Sequence, residues 1–210
     1  MNYDDIKQFC QNQYNQKKSH LVYTSFKTEN WYKFQGHKWV LTLTKTIIDE
    51  SLKEYIDELQ KQLTYTLSLP DSDQKTFDCF RLNRCLKYGV NSDQTIKLIT
   101  NELKCFFLDL TFIEKLDANT NLLGFTNGVY DLMLGQLRDG QPDDYISIGA
   151  DWEFAISHDC ECQKFISEIF PNNPQVRDYI VKELSSYLNE SDDKPFCIWT
   201  GNGDNSKKLL

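Results

Sequence analysis

Gly201, Gly203, Asn205, Ser206, Lys207 and Lys208 lie in the stretch GNGDNSKK, directly after the apolar run Phe196 to Trp199. A strand that enters a glycine-bearing loop ending in lysine can grip a triphosphate. Backbone N–H groups converge on the phosphates, the lysine neutralises them, and a following hydroxyl holds Mg²⁺. Two positions depart from that pattern. Ser206 puts a side chain where the turn favours glycine, and Lys208 puts an ammonium where the metal-binding hydroxyl belongs. The helix N-terminus that would face the phosphates, and the acidic and water-positioning residues that turnover needs, do not follow in these 210 residues. The expectation is a degenerate nucleotide loop without ATP hydrolysis of its own. The plainer alternative is that residues 200–210 form a disordered tail.

Other chemistry-bearing residues are sparser. His158, Cys160 and Cys162 in HDCEC are metal-ligand types, but a zinc site wants four ligands, usually as two separated pairs, and no second pair exists in the sequence. No metal site is expected, and the two cysteines read as the start of a helix. Asp131 and the pair Asp143 and Asp144 lack a partner histidine or carboxylate at a recognisable spacing, so Asp131 reads as a turn cap, Asp143 and Asp144 after Pro142 read as the start of the next segment, and no catalytic residue is assigned. The run NWYKFQGHKW interleaves Trp31, Tyr32 and Trp39 with Lys33 and Lys38. Rings that stack on bases beside lysines that meet phosphates would suit single-stranded DNA. Strand alternation favours the plainer reading, with aromatic residues on a core face and lysines on a solvent face.

Composition limits the rest. With 31 acidic and 23 basic residues the formal charge is -8, so the whole field repels a polyanion and DNA contact is expected to be weak or local, with basic clusters around Lys33 and Lys38 and along Arg81, Arg84 and Lys87. Hydrophobic residues at 40% and aromatics at 13% supply a core. Seven scattered cysteines without framework spacing fit a reducing compartment. The start has no secretory pattern, and no apolar run reaches the ~18 residues of a membrane span, so cytoplasm or nucleus is expected.

The elements that must position these residues read as α+β. Residues 20 to 44 carry aromatic and β-branched runs broken by polar clusters, which predicts a small N-terminal β-meander. Apolar residues at three- and four-residue intervals predict a helix from Thr46 to about Leu67, ended by Pro70. Further helices are expected over Lys75 to Tyr88, closed by Gly89, and from a Ser92 or Asp93 cap through Phe107, with a short piece over Thr111 to Leu116. Strands Leu122 to Phe125 and Val129 to Leu132 flank Asn127-Gly128, read as a tight turn with positive φ, and Leu134 to Gln136 reverses the chain again. Two C-terminal helices follow, Asp159 to Phe170 and Asn173 to Leu188, the second with Pro174 in its first turn. The boundaries expected are 1–44 for the meander, 45–118 for a helical middle, 119–195 for a β-hairpin unit with two helices, and 196–210 for the start of a nucleotide-binding domain.

Taken in order, NWYKFQGHKWV, LLGFTNGVYDL, LRDGQPDDYIS and PFCIWTGNGDNSKK resemble segments of the poxvirus-type primase-helicase family of large DNA viruses, related to the alpha-type primases of satellite phages. The resemblance implies a linking domain between a primase and a superfamily 3 helicase motor, a hexameric ATPase that uses ATP and Mg²⁺ to unwind DNA at a viral replication site in the host cytoplasm or nucleus. Gly201, Gly203, Asn205 and Lys207 fall on that family's nucleotide loop, while Ser206 and Lys208 depart from it. The chain then reads as the linking domain plus the first strand and loop of the motor, either isolated or from a split gene. The expected partners are DNA, the helicase motor and primase domains, and neighbouring subunits of a ring. A residual nucleotide-binding helicase fragment is the alternative.

Overall fold

The structure is a computed structural model and describes residues 3–156 and 161–188. It divides into two compact units, one made of Met1–Ala118 with Gly140–Ile148, the other of Asn119–Asp139 with the residues from Gly149 onward. The described residues form seven α-helices and two three-stranded antiparallel sheets, the α+β class expected from the sequence.

The first unit opens with a helix that sequence periodicity does not announce. In α1 (Tyr3–Lys17) only Ile6, Phe9, Cys10 and Gln13 face inward, a stripe at three- and four-residue spacing on an otherwise polar helix. The meander follows as β1 (Leu21–Tyr23), β2 (Trp31–Gln35) and β3 (Lys38–Thr42), paired in that order. Gly36, at φ +62°, leads the two-residue turn between β2 and β3, where positive φ is required.

This sheet is covered on both faces. Leu21, Tyr23 and Trp31 join the main core with Ile47, Tyr55, Ile99, Leu103 and Phe107. Those partners come from α2 (Thr44–Ser68) and α4 (Asp93–Phe106) with its cap Phe107. On the other face Val22, Tyr32, Phe34 and Trp39 pack on Phe112 of α5 (Phe112–Lys115), and on Leu116 and Tyr145. Aromatic residues therefore occupy both faces, and Lys33, which shares a face with Trp31, meets α2 instead of open solvent.

Between α2 and α4 runs α3 (Asp73–Arg84), capped by Ser72, whose hydroxyl accepts from Lys75 N at 3.1 Å. A π-turn, Cys85–Gly89, extends it and closes with Val90 N–H donating to Cys85 O. Ser92 caps α4, as expected.

The second unit carries β4 (Leu122–Phe125), β5 (Gly128–Asp131) and β6 (Gln136–Arg138). Phe125 pairs with Gly128, so the connecting residues are Thr126 and Asn127, neither of which has positive φ; of the Asn127-Gly128 pair only Gly128, the first residue of β5, has it, at +153°. The Asn127 amide instead pins a distant loop, donating to Phe154 O at 3.0 Å and accepting from Phe154 N at 2.9 Å. Gly128 is needed for close approach, because a Cβ there would stand 2.6 Å from Arg138 O. Two helices follow, α6 (Glu161–Ile169) and α7 (Pro174–Ser186), the latter capped by Asn173 with proline at its first position.

Candidate nucleic-acid interface

The two tryptophans of the first motif lie inside. Trp31 is 0% exposed, its ring 5.0 Å from that of Tyr23 and 5.9 Å from that of Phe107. Trp39 is 3% exposed, stands edge-on to Phe112 at 4.9 Å, and donates its Nε1–H to Pro142 O at 2.8 Å. A base stacking on either indole would first have to displace the protein's own rings. Tyr32 is half-buried with its ring 5.3 Å from Phe112, and Lys33 Nζ donates to both Glu50 carboxylate oxygens at 2.7 and 2.9 Å. Lys38 opens β3 beside the turn.

From Gly140 onward the motif LRDGQPDDYIS belongs to the first unit and packs onto this sheet. Gly140 N–H donates to His37 Nδ1 at 3.0 Å, Trp39 N–H to Ile146 O at 2.7 Å, and Asp117 accepts from the backbone N–H groups of Ser147 and Ile148. Two of the four segments that carry the family resemblance thus hold each other in place. Asp144 accepts from Gln141 N at 2.7 Å in a reciprocal capping box around the 3-10 turn Pro142–Asp144, which includes Asp143. In the second unit Asp131 accepts from Met133 and Leu134 N–H groups, each at 3.0 Å, which is turn capping as expected. Gly201, Gly203, Asn205, Ser206, Lys207 and Lys208 lie outside the described residues, as do His158 and Cys160, and Cys162 falls in α6.

A surface that the sequence showed only as a basic run is built on α3 and its π-turn. Leu82 and Val90 turn inward, and the opposite stripe carries Phe77, Phe80, Arg81, Arg84 and Tyr88, spaced three and four apart. Phe77, Phe80 and Tyr88 are 62%, 66% and 67% exposed. They border a concavity of about 500 Å³ with the two arginines, Cys85 and Gly89. Arg81 is loosely held, 3.4 Å from Asp5 and 3.9 Å from Asp78, and Arg84 has no ion pair among the described residues. Lys87 Nζ lies 5.1 Å from the centre of the Tyr88 ring. At the helix entry, Lys75 Nζ donates to Asp71 at 2.8 Å and holds that carboxyl below its ordinary range. The signal was present as aromatic positions at helical spacing, but a core face has the same pattern, and only burial separates the two.

A profile of the family described as D5 N terminal like matches residues 11–171. The chain belongs to this family. Among similar proteins, one of Acanthamoeba polyphaga mimivirus named as a helicase is 31% identical over 200 residues, covering 89% of this chain and 20% of that protein. A helicase-named protein of Invertebrate iridescent virus 6 is 36% identical over 102 residues, which is 46% of this chain and 10% of that one. Another, of Invertebrate iridescent virus 3, is 33% identical over 111 residues, or 50% of this chain and 12% of its own length. The chain therefore spans a fifth or less of these relatives. The viral primase-helicase family indicated by the four sequence segments is the one that this D5 N-terminal-like match supports. No helix among the described residues is long and apolar enough to cross a membrane.

Proposed function

We propose that this D5 N-terminal-like chain is the linking module of a viral DNA primase-helicase, holding DNA or neighbouring subunits beside a motor without hydrolysing ATP itself. The observation that carries the proposal is the position of the family match: residues 11–171 form one stretch, and the nucleotide-loop sequence at 201–208 falls after it. The relatives, named as helicases of a mimivirus and two iridescent viruses, supply the context. ATP and Mg²⁺ belong in this proposal to the motor, and the working site is the replication compartment in the host cytoplasm or nucleus. The assembly it serves is a ring, hexameric in the full-length protein, with primase and helicase domains as covalent or separate partners.

Phosphate release from ATP with Mg²⁺ tests the proposal, alongside a thermal-shift titration. The expected result is release at background and no rise in melting temperature at millimolar ATP, because a ligand that binds only the folded state must raise it. Magnesium-dependent phosphate release that is abolished by Lys207→Ala would overturn the proposal in favour of a nucleotide-handling fragment.

A further inference from the structure

We infer that the exposed stripe of α3 and its π-turn binds single-stranded DNA, with Phe77, Phe80 and Tyr88 stacking on bases and Arg81 and Arg84 meeting the phosphates. The inference rests on the linking-module proposal for its nucleic acid and goes beyond it in naming the face, the strand form and the contacts.

Charge is the first argument. The chain carries -8 overall, yet between Phe77 and Gly89 the basic residues Arg81, Arg84 and Lys87 face a single acidic one, Asp78, while Lys75 at the helix entry is neutralised by Asp71. A local positive strip on a repelling body confines a polyanion to that strip. Arg84 is unpaired among the described residues, and the 3.4 and 3.9 Å contacts of Arg81 are long enough for a phosphate to compete for the guanidinium.

The rings are the second argument. Aromatic faces at three- and four-residue spacing normally point into a core, but here all three are more than 60% exposed on the side opposite Leu82. An aromatic patch alone would equally suit a protein partner. The interleaving decides for nucleic acid: each ring has a guanidinium one to four residues away, so a strand could place bases on rings and phosphates on arginines alternately. From Phe77 to Tyr88 the stripe runs about 16 Å at the helical rise, which accommodates only a few nucleotides. Single strands fit better than duplex, because bases already stacked within a helix offer no free face to a side chain. Tyr88, four residues after Arg84, lies within the π-turn and borders the concavity with Gly89.

Fluorescence anisotropy with a labelled thymidine oligonucleotide, run on the full chain over a series of salt concentrations, tests the inference. Binding is expected at low salt, with a duplex of equal length competing poorly. Phe77→Ala/Phe80→Ala should weaken binding by about fivefold or more. Arg84→Glu should weaken it and lower the slope of log K against log salt by about 0.7 or more in magnitude. Tyr65→Ala, an exposed ring on α2 outside the stripe, should change nothing. These substitutions are at exposed positions, and an unchanged melting temperature confirms that the variants are folded. The inference is overturned by an absence of binding at any salt, or by full affinity in both α3 variants. Self-association in sedimentation that the α3 substitutions abolish, without DNA binding, would make the stripe a protein interface instead. Each of these outcomes leaves the ATP test of the linking-module proposal untouched, so the two can fail separately.

Discussion

Cys10 sits on α1 in the centre of the first unit, and burial, aided by the charge of Glu102, pushes its thiol up to about 12. Burial likewise raises the Tyr55 hydroxyl, with Asp5 adding to it. A folded value above the unfolded one means that the unfolded chain loses its proton first as pH rises. Stability is therefore fully present below the ordinary thiol value, about 8.5, and is lost progressively toward pH 12, by about 1.4 kcal/mol per pH unit for each such group. Urea denaturation at stepped pH should show a flat region to about pH 8 and a fall above it, and Cys10→Ala should make the fall between pH 9 and 10 shallower. Because the thiolate is the nucleophile, iodoacetamide followed by peptide mapping should label exposed Cys105 well before Cys10. Lys104 is a third buried group. Its side chain is 10% exposed, and its ammonium donates to Glu29 Oε1 at 2.5 Å and lies 5.5 Å from the centre of the Tyr23 ring. Glu29→Gln should destabilise by about 1–2 kcal/mol in urea, below the usual loss for a broken buried pair because Glu29 is itself more than half exposed. Adding Lys104→Met should recover most of that loss, since the stranded charge is then gone.

At the scale of elements, the return segment Gly140–Ile148 is the piece whose role is least visible locally. Gly140 lies so close to the β2–β3 turn that an added Cβ would stand 2.5 Å from His37 O and 2.8 Å from His37 Cα. Backbone cannot yield as a flexible side chain would, so Gly140→Ala should cost about 1–3 kcal/mol by overpacking and lengthen the Gly140 N–H to His37 Nδ1 bond. Chemical denaturation measures the first effect, and the His37 ring signals in NMR the second. The elements legible in the sequence have local causes. The apolar periodicity of α2, the Ser92 cap of α4 and the Pro174 start of α7 are each written within a few residues. Those that are not legible are set by distant partners. In α1, Gln13 takes an inward position where an apolar side chain would have announced the helix. In β2, alternation implies one wet face, but Phe112 and Tyr145 arrive from later in the chain to cover it. Asn127-Gly128 has the composition of a turn, yet the pair is conditioned by Phe154 and Arg138, which no local pattern names. The α3 stripe misleads for the same reason in reverse, since nothing arrives among the described residues to bury it.

On the scale of the whole molecule, the first unit is discontinuous: Met1–Ala118 is completed by nine residues that come after an excursion through β4, β5 and β6. Those nine residues supply the acceptor for the Trp39 indole, the acceptor for Trp39 N–H, and Tyr145, whose ring stands 5.9 Å from Phe112. The chain cannot therefore be cut at a sequence boundary near residue 118 without opening the second face of the first sheet. A polypeptide of residues 1–118 leaves a buried indole N–H without its partner and uncovers aromatic surface, each of which costs on the order of 1–3 kcal/mol. For a domain of this size such losses lower the melting temperature by at least about 10 °C relative to residues 1–156. Tryptophan emission should also shift to the red in the shorter piece as Trp39 meets water, while Trp31, on the opposite face, stays dry. If the two polypeptides melt together with the same emission maximum, Gly140–Ile148 is not part of the first unit's core, and the pairing of the two motifs through His37, Trp39, Gly140 and Pro142 does not hold the fold.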